Sequence, residues 1–153
     1  MSESLQPSFG IERIYLKDLS VEVPNAPEIF MEREQPQVEV NISNATREVQ
    51  AGVFDVVLTL TITAKLKDKT VFLVEVAQAG VFQIRNVPAQ DMGPLLGIAC
   101  PNVLFPYARE TVSTVTPRAG FPPVVLAPVS FEMLYQQQMQ QQQQQPPQGA
   151  KPN

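Results

Sequence analysis

Residues 95–110 read LLGIACPNVLFPYARE, and this stretch decides the fold. It carries apolar side chains on nearly every side of a helix. The helical spacing continues through Leu104, Ala108, Val112 and Val115. Pro101 is acceptable in a first helical turn, whereas Pro106 predicts a kink or the true start of the helix. From Asn86 to the end only six side chains are charged, far below the roughly one quarter of an average globular chain. We therefore expect other copies of the chain, or other proteins, to cover part of this apolar surface.

Upstream of this helix, apolar and polar residues alternate with the period of two that is typical of β-strands. The pattern predicts four strands, at residues 9–23, 38–42, 54–65 and 70–87. A slip in the alternation between Ile11 and Ile14 predicts a bulge in the first strand. Residues 43–52 are expected to form a loop after the second strand, and Gly80 is expected to interrupt the fourth.

Downstream, the sequence predicts a second helix and then a tail. Ser130 is placed to cap that helix, whose apolar face includes Phe131, Leu134 and Tyr135. Glutamine dominates from residue 136 and supplies little apolar surface to bury. We expect residues 136–153 to form a disordered tail and residues 1–8 a flexible N-terminal segment.

The composition excludes several classes of function. Fifteen acidic and eleven basic residues give a formal charge of −4, which argues against binding a nucleic-acid backbone. The chain has no histidine and no glycine-rich phosphate-binding motif, which disfavours ATP-dependent activity and most kinds of enzyme. The single cysteine, Cys100, can form no internal disulfide and no zinc site alone, so we expect no cofactor and no metal. The absence of signal-peptide features and of any long apolar run predicts a cytoplasmic protein without membrane insertion.

Several segments together resemble the SecB family of bacterial protein-export chaperones. They read RIYLKDLS at 13–20, PNAP at 24–27, Phe82 with Ile84, LG at 96–97, CPNVLFPYARE at 100–110, GFP at 120–122 and LAPV at 126–129. The resemblance spans residues 9–135, which we interpret as one chaperone domain. It implies an α+β fold in which a four-stranded antiparallel sheet is followed by two helices, assembled as a dimer of dimers. The glutamine-rich tail departs from the tails of the family.

The resemblance also implies three groups of functional residues. Docking of SecA, the export motor, through a basic carboxyl-terminal segment is expected at Asp18, Glu22, Leu73 and Glu75. An apolar groove for unfolded clients is expected to include Val38, Val40, Ile42, Phe121, Phe131 and Leu134. Subunit assembly is expected to involve Val74, Val76 and Gln78. Each group has a plainer alternative, namely a solvated charged strand, ordinary core, and packing within one chain.

These features predict an ATP-independent holdase rather than an enzyme. The protein is expected to bind unfolded secretory precursors, keep them competent for translocation and deliver them to SecA as a homotetramer. Two alternatives remain open: an oligomeric adaptor that binds only folded partners, and a holdase for aggregation-prone proteins that is not tied to export. A hydrolase or isomerase built on carboxylates is disfavoured by the lack of histidine.

Overall fold

Four antiparallel strands form one sheet in the computed structural model, which describes residues 5–144. The strands are β1 (Ser8–Glu22), β2 (Gln37–Gln50), β3 (Val53–Leu66) and β4 (Lys69–Arg85). Their spatial order is β1-β4-β3-β2, so β1 and β2 are the two edges. A short 3-10 helix, Glu28–Met31, lies in the crossover between β1 and β2. The predicted fold class is confirmed: an antiparallel four-stranded sheet is followed by helices.

Two details of the strands differ from the sequence-based prediction. β2 does not end at Ile42, because residues 43–50 continue to pair with β3, and only Ala51 and Gly52 form the turn. Most of those residues are polar because an edge strand keeps much of its surface in water. β4 is not interrupted at Gly80, which pairs with Ile14 on one side and Val56 on the other. The predicted bulge in β1 is confirmed by a register shift between Ile11 and Arg13, and a second shift lies between Leu16 and Asp18.

A nearly continuous helical segment covers one face of the sheet. It consists of α1 (Ala89–Pro94), a π-helical turn (Leu95–Ala99) and α2 (Cys100–Arg118). Pro106 lies inside α2 and does not mark its start. Leu104, Ala108 and Val112 are fully buried against the sheet, as their helical spacing predicts. On β3 their partners are Val56, Leu58, Leu60 and Ile62, all fully buried.

The last helix, α3 (Phe131–Gln144), is longer than the sequence-based prediction. The N–H of Met133 donates to the Ser130 hydroxyl at 3.3 Å, so Ser130 caps the helix as predicted. Residues 136–144, which fall within the predicted tail, are helical, because glutamine is a good helix former once a cap and a packed first turn are present. Residues 145–153 and 1–4 lie outside the described residues. The predicted flexible N-terminal segment overlaps the described chain at residues 5–8, where the Gln6 carbonyl accepts a hydrogen bond from Asn86 and Ser8 begins β1.

Candidate functional site

The face of the sheet opposite α2 stays partly open to solvent, and we call it the open sheet face. On β3 the residues that point there, such as Thr59, Thr61 and Thr63, are half-buried, whereas their neighbours on the helix side are fully buried. The strand register places their partners from β4 and β1 on the same face. Short side chains such as Ser20, Ala77 and Thr59 line part of this face.

The four residues expected to dock SecA lie together on the open sheet face. Glu22 pairs directly with Leu73 across β1 and β4. Glu75 lies two residues further along β4 beside Ser20, and Asp18 follows beside Ala77. The hydroxyl of Thr61 donates to the Glu75 carboxylate at 3.4 Å. The three carboxylates are exposed and Leu73 is half-buried, so the structure gathers an acidic patch around one apolar contact.

A buried carboxylate lies further along the same face. Asp55 is only 6% exposed, and the Tyr15 hydroxyl donates to its Oδ1 at 2.6 Å. Lys17 Nζ lies 3.8 Å from Asp55 Oδ2. The pKa of Tyr15 is raised, mainly because its hydroxyl donates to Asp55, with burial and the Asp55 charge adding to the effect and Arg47 opposing it. The second register shift in β1 falls at Lys17, between the tyrosine that bonds Asp55 and Asp18, which is one of the predicted docking residues.

On the helix side, a cavity of about 490 Å³ opens at the end of the sheet where β3 turns into β4. Its walls come from the 3-10 helix, the start of β2, the β3–β4 turn and the loop after α2. Three aromatic rings line it: the Phe121 ring lies 5.3 Å from that of Phe30 and 4.9 Å from that of Phe72, between centroids. Glu32, Arg33 and Glu34 add polar groups to the lining. The cavity is thus apolar at its aromatic wall and charged along the crossover.

Comparison with known proteins decides the family. Residues 2–142 match the family described as preprotein translocase subunit SecB. The protein-export protein SecB of Dechloromonas aromatica is 63% identical over 137 residues, which is 90% of this chain and 90% of the relative. The chain belongs to the SecB family. A second relative, the SecB of Chromobacterium violaceum, is 61% identical over 135 residues, covering 88% of this chain and 90% of its own. This SecB-family chain is therefore a protein-export chaperone.

A solved structure shares the fold. It is the SecB-like chaperone of Mycobacterium tuberculosis in complex with a peptide from an antitoxin, with a TM-score of 0.66. The match covers 79% of this chain and 90% of that one, at 20% sequence identity. The SecB fold inferred from the sequence is thus confirmed by structure as well as by sequence.

The structure brings only part of the predicted client groove of this SecB-family chain together. Val38 and Phe121 both line the cavity, and Val40 and Ile42 continue from Val38 along the same face of β2. Val38 and Val40 are 45% and 41% exposed, as a binding surface requires.

The remaining two predicted groove residues lie on α3, away from the cavity lining. Phe131 is buried in the core, with its ring 5.7 Å from that of Phe105. Leu134 is half-buried and packs against the same core. Phe131 thus follows the plainer alternative of core packing, because the first turn of α3 needs an apolar anchor.

The predicted assembly residues lie beneath the helices. Val74 and Val76 are fully buried within the single chain, and Gln78 is nearly so. The Gln78 side chain donates to the backbone carbonyl of Tyr15 at 3.1 Å. Packing within one chain therefore accounts for these side chains. Their role in subunit assembly stays a prediction. Because they are buried, these side chains would affect assembly only indirectly, by fixing the position of α2.

Sequence reasoning missed three residues that these surfaces include. Phe30 and Phe72 supply two of the three rings in the cavity. Glu39 lies on the open sheet face, because it pairs with Thr63, which in turn pairs with Leu73. The alternation of β2 could have revealed Glu39, since it points away from Val38 and Val40. Phe30 and Phe72 carried no such signal, because their meeting depends on the path of the crossover.

Within residues 5–144, no three cysteine, aspartate or glutamate side chains are grouped so that they could hold a metal ion. Among the helices of the same range, none is both long and apolar enough to cross a membrane.

Proposed function

We propose that this SecB-family chaperone acts in the cytoplasm as an ATP-independent holdase and a homotetramer. It binds unfolded precursor segments in the phenylalanine-lined cavity and along β2, and it passes them to SecA docked on the open sheet face. The observation that carries the proposal is the aromatic cavity itself, which continues into the half-exposed apolar face of an edge strand. A bound, unfolded client cannot fold or aggregate while it is held, so binding acts on the client by mass action.

The cavity and the edge strand suit unfolded chains in particular. β2 pairs only with β3, so its outer backbone groups have no partner within the described chain. An extended segment beside β2 could use those backbone groups while alternate side chains meet Val38, Val40 and Ile42. Backbone recognition of this kind is independent of client sequence, which a general export chaperone requires.

Client capture is tested by light scattering of a denatured client protein as it is diluted into buffer. The parent protein is expected to suppress the scattering, and Phe121→Ala is expected to suppress it less, because the cavity loses its central ring. Val125→Ala is the matched control: it lies in the same loop but is 77% exposed and does not line the cavity. If the parent leaves the scattering unchanged, the protein is instead an adaptor for folded partners.

Docking is tested separately by measuring association with purified SecA. The double variant Asp18→Ala with Glu75→Ala is expected to abolish association while client capture persists. Glu110→Ala with Glu132→Ala removes the same charge from α2 and α3 and is expected to bind SecA normally. Equal loss of both activities in the sheet-face variant would contradict separate sites. Normal SecA binding by that variant, with scattering still suppressed, would favour a holdase that is not tied to export through this face.

A further inference from the structure

The open sheet face is electrically polarised along the strands. At one end lie the carboxylates of Asp18, Glu22, Glu39 and Glu75, which we call the acidic end. At the other end, one row of paired residues crosses all four strands as Arg13, Val81, Asp55 and Arg47. Arg13 and Arg47 are both exposed, and we call this row the basic end.

Asp55 is the one acidic residue in this row, and its carboxylate forms no ion pair with Arg13 or Arg47. Asp55 is buried, and its two oxygens are already engaged by the Tyr15 hydroxyl at 2.6 Å and by Lys17 at 3.8 Å. The Lys17–Asp55 contact is the one ion pair within residues 5–144. Arg13 and Arg47 therefore have no carboxylate within 4.0 Å in that range. Arg13 and Arg47 thus carry positive charges without an ion-pair partner in that range, while the carboxylate of Glu12 accepts a hydrogen bond from Gln83 further along the same face.

The two ends are separated by a distance that one extended peptide covers. Glu75 and Val81 are six residues apart on β4, or about 20 Å at the rise of an antiparallel strand. Between them lie Ala77 and Ala79, with Val57 beside them on β3. The Tyr15 side chain starts opposite Ala79 and crosses β4 on this face to reach Asp55, so a docked peptide would pass over the tyrosine ring. Arg13 and Arg47 are three strand spacings apart, about 14 Å, on the two flanks of that path.

We propose that the segment that docks on the open sheet face is dipolar, with basic residues on the acidic end and acidic residues on Arg13 and Arg47 at the basic end. This rests on the proposed docking of SecA to the same face and adds a second contact to it. Because a reversed segment would place like charges together at both ends, the two contacts fix the direction of the docked chain. The ends lie about two Debye lengths apart at 0.1 M salt, so each contributes nearly independently.

The test compares SecA affinity for two double variants. Arg13→Gln with Arg47→Gln removes the basic end, and Arg109→Gln with Arg118→Gln removes the same charge from α2, off the sheet face. Exposed ion pairs contribute about 0.2–1 kcal/mol each, so the first variant is expected to bind SecA about two- to thirtyfold more weakly. The second variant is expected to bind like the parent. Equal thermal midpoints of all these proteins verify that each is folded.

A peptide pair isolates the acidic contact. One probe is an extended ten-residue peptide with lysines at one end and glutamates at the other, and its partner carries serines in place of the glutamates. The glutamate probe is expected to bind the parent more tightly, and the two probes are expected to bind Arg13→Gln with Arg47→Gln equally. If that variant keeps the SecA affinity of the parent while the Asp18 and Glu75 variant loses it, the dipolar proposal fails and acidic docking stands. If neither pair affects SecA, docking on this face fails altogether.

Discussion

Gly80 shows at the scale of one residue how closely the helix packs on the sheet. A Cβ at this position would lie 2.8 Å from the Phe82 ring and 3.0 Å from Leu104 Cδ2. Contacts so short require the neighbours to move, and both neighbours are fully buried. The close packing of Phe82 and of Leu104 from α2 around this position therefore explains the glycine. The strand pattern alone indicates a break in β4 here.

Gly80→Ala is accordingly expected to destabilise the protein by about 1–3 kcal/mol, through overpacking. The measurement is the midpoint of urea-induced unfolding. Gly10→Ala is the matched control, because it also lies in a strand and its Cβ would meet nothing within 4 Å. If Gly10→Ala were as unstable as Gly80→Ala, the loss of stability would come from replacing any β-strand glycine and not from crowding at Gly80.

Cys100 offers a second prediction at this scale. It is fully buried at the start of α2, and burial raises the pKa of its thiol from 9.0 to about 12. The thiolate is the reactive form, so the native protein is expected not to react with a disulfide reagent at pH 8. Unfolding in guanidinium should release one reactive thiol per chain, since the sequence holds one cysteine. Rapid labelling of the native protein would contradict this burial.

The same shift links Cys100 to pH-dependent stability. Because the folded pKa lies above that of the unfolded chain, the folded state favours the protonated thiol. The contribution of this group is fully present below pH 9 and is lost as the pH rises toward about 12. Cys100→Ala is expected to remove that part of the alkaline loss of stability, measured as the urea midpoint at pH 8 and pH 10.

The sequence predicted on which face of the sheet a side chain lies wherever the alternation along one strand determines it. Asp18 and Glu22 share a face because they are an even number of residues apart, and the same holds for Leu73 and Glu75. Their meeting across β1 and β4 followed from the family resemblance, since strand pairing is not local. The burial of Asp55 was not predictable, because it depends on Tyr15, 40 residues away.

At the scale of elements, the sequence predicted which strands and helices exist but misplaced several of their ends. β2 continues for eight residues past Ile42, six of them polar, because backbone pairing with β3 holds an edge strand that hydrophobic periodicity does not mark. The helical segment passes through Pro94, Pro101 and Pro106 without stopping. Pro101 is tolerated because it lies in the first turn of α2, where the π-helical turn ends.

The contact that serves the π-helical turn is specific. The N–H of Cys100 bonds the Leu95 carbonyl, and in the same pattern the Leu96 carbonyl would need the N–H that Pro101 lacks. The side chain of Asn44 donates to Leu96 instead, at 3.0 Å. This hydrogen bond ties β2 to the helical layer, and no sequence pattern linked residues 52 positions apart.

The anchoring of α3 gives a prediction at the scale of elements. Phe131 is buried against Phe105, whereas the rest of the helix beyond Tyr135 is exposed. Phe131→Ala is expected to cost about 3 kcal/mol and to speed hydrogen exchange of the α3 amides. Met133→Ala, which is 61% exposed in the same helix, is expected to change stability by less than about 0.5 kcal/mol. Equal exchange in both variants would mean that Phe131 does not anchor the helix.

At the scale of the whole molecule, one chain leaves much apolar surface uncovered. On the helix side of β1, Phe9, Ile11, Leu16 and Leu19 all remain more than a third exposed. With the exposed face of β2, this surface exceeds what isolated apolar residues on a monomer would explain. The sequence had predicted such a surplus from the shortage of charge after residue 86, and the structure adds that part of it lies on β1.

The mass in solution tests how the surplus is covered. Light scattering is expected to give four times the 16.9 kDa mass of the chain. Leu16→Glu with Ile11→Glu is expected to lower that mass, because charges would be buried at any interface that covers β1. Glu12→Gln, also on β1 but polar in the parent, is expected to keep the parent mass. A parent that elutes as a single copy would contradict assembly through this surface.

The neighbouring positions of Phe72 and Leu73 on β4 bear on the proposed handover of a client to SecA. The first side chain lines the cavity and the second belongs to the acidic patch, and they project from opposite sides of one strand. SecA bound to that patch would therefore be separated by the thickness of one sheet from a precursor bound in the cavity. Handover would then require the precursor only to pass around the edge of one β-sheet. One end of the precursor could be released to the translocation machinery while the rest stays bound.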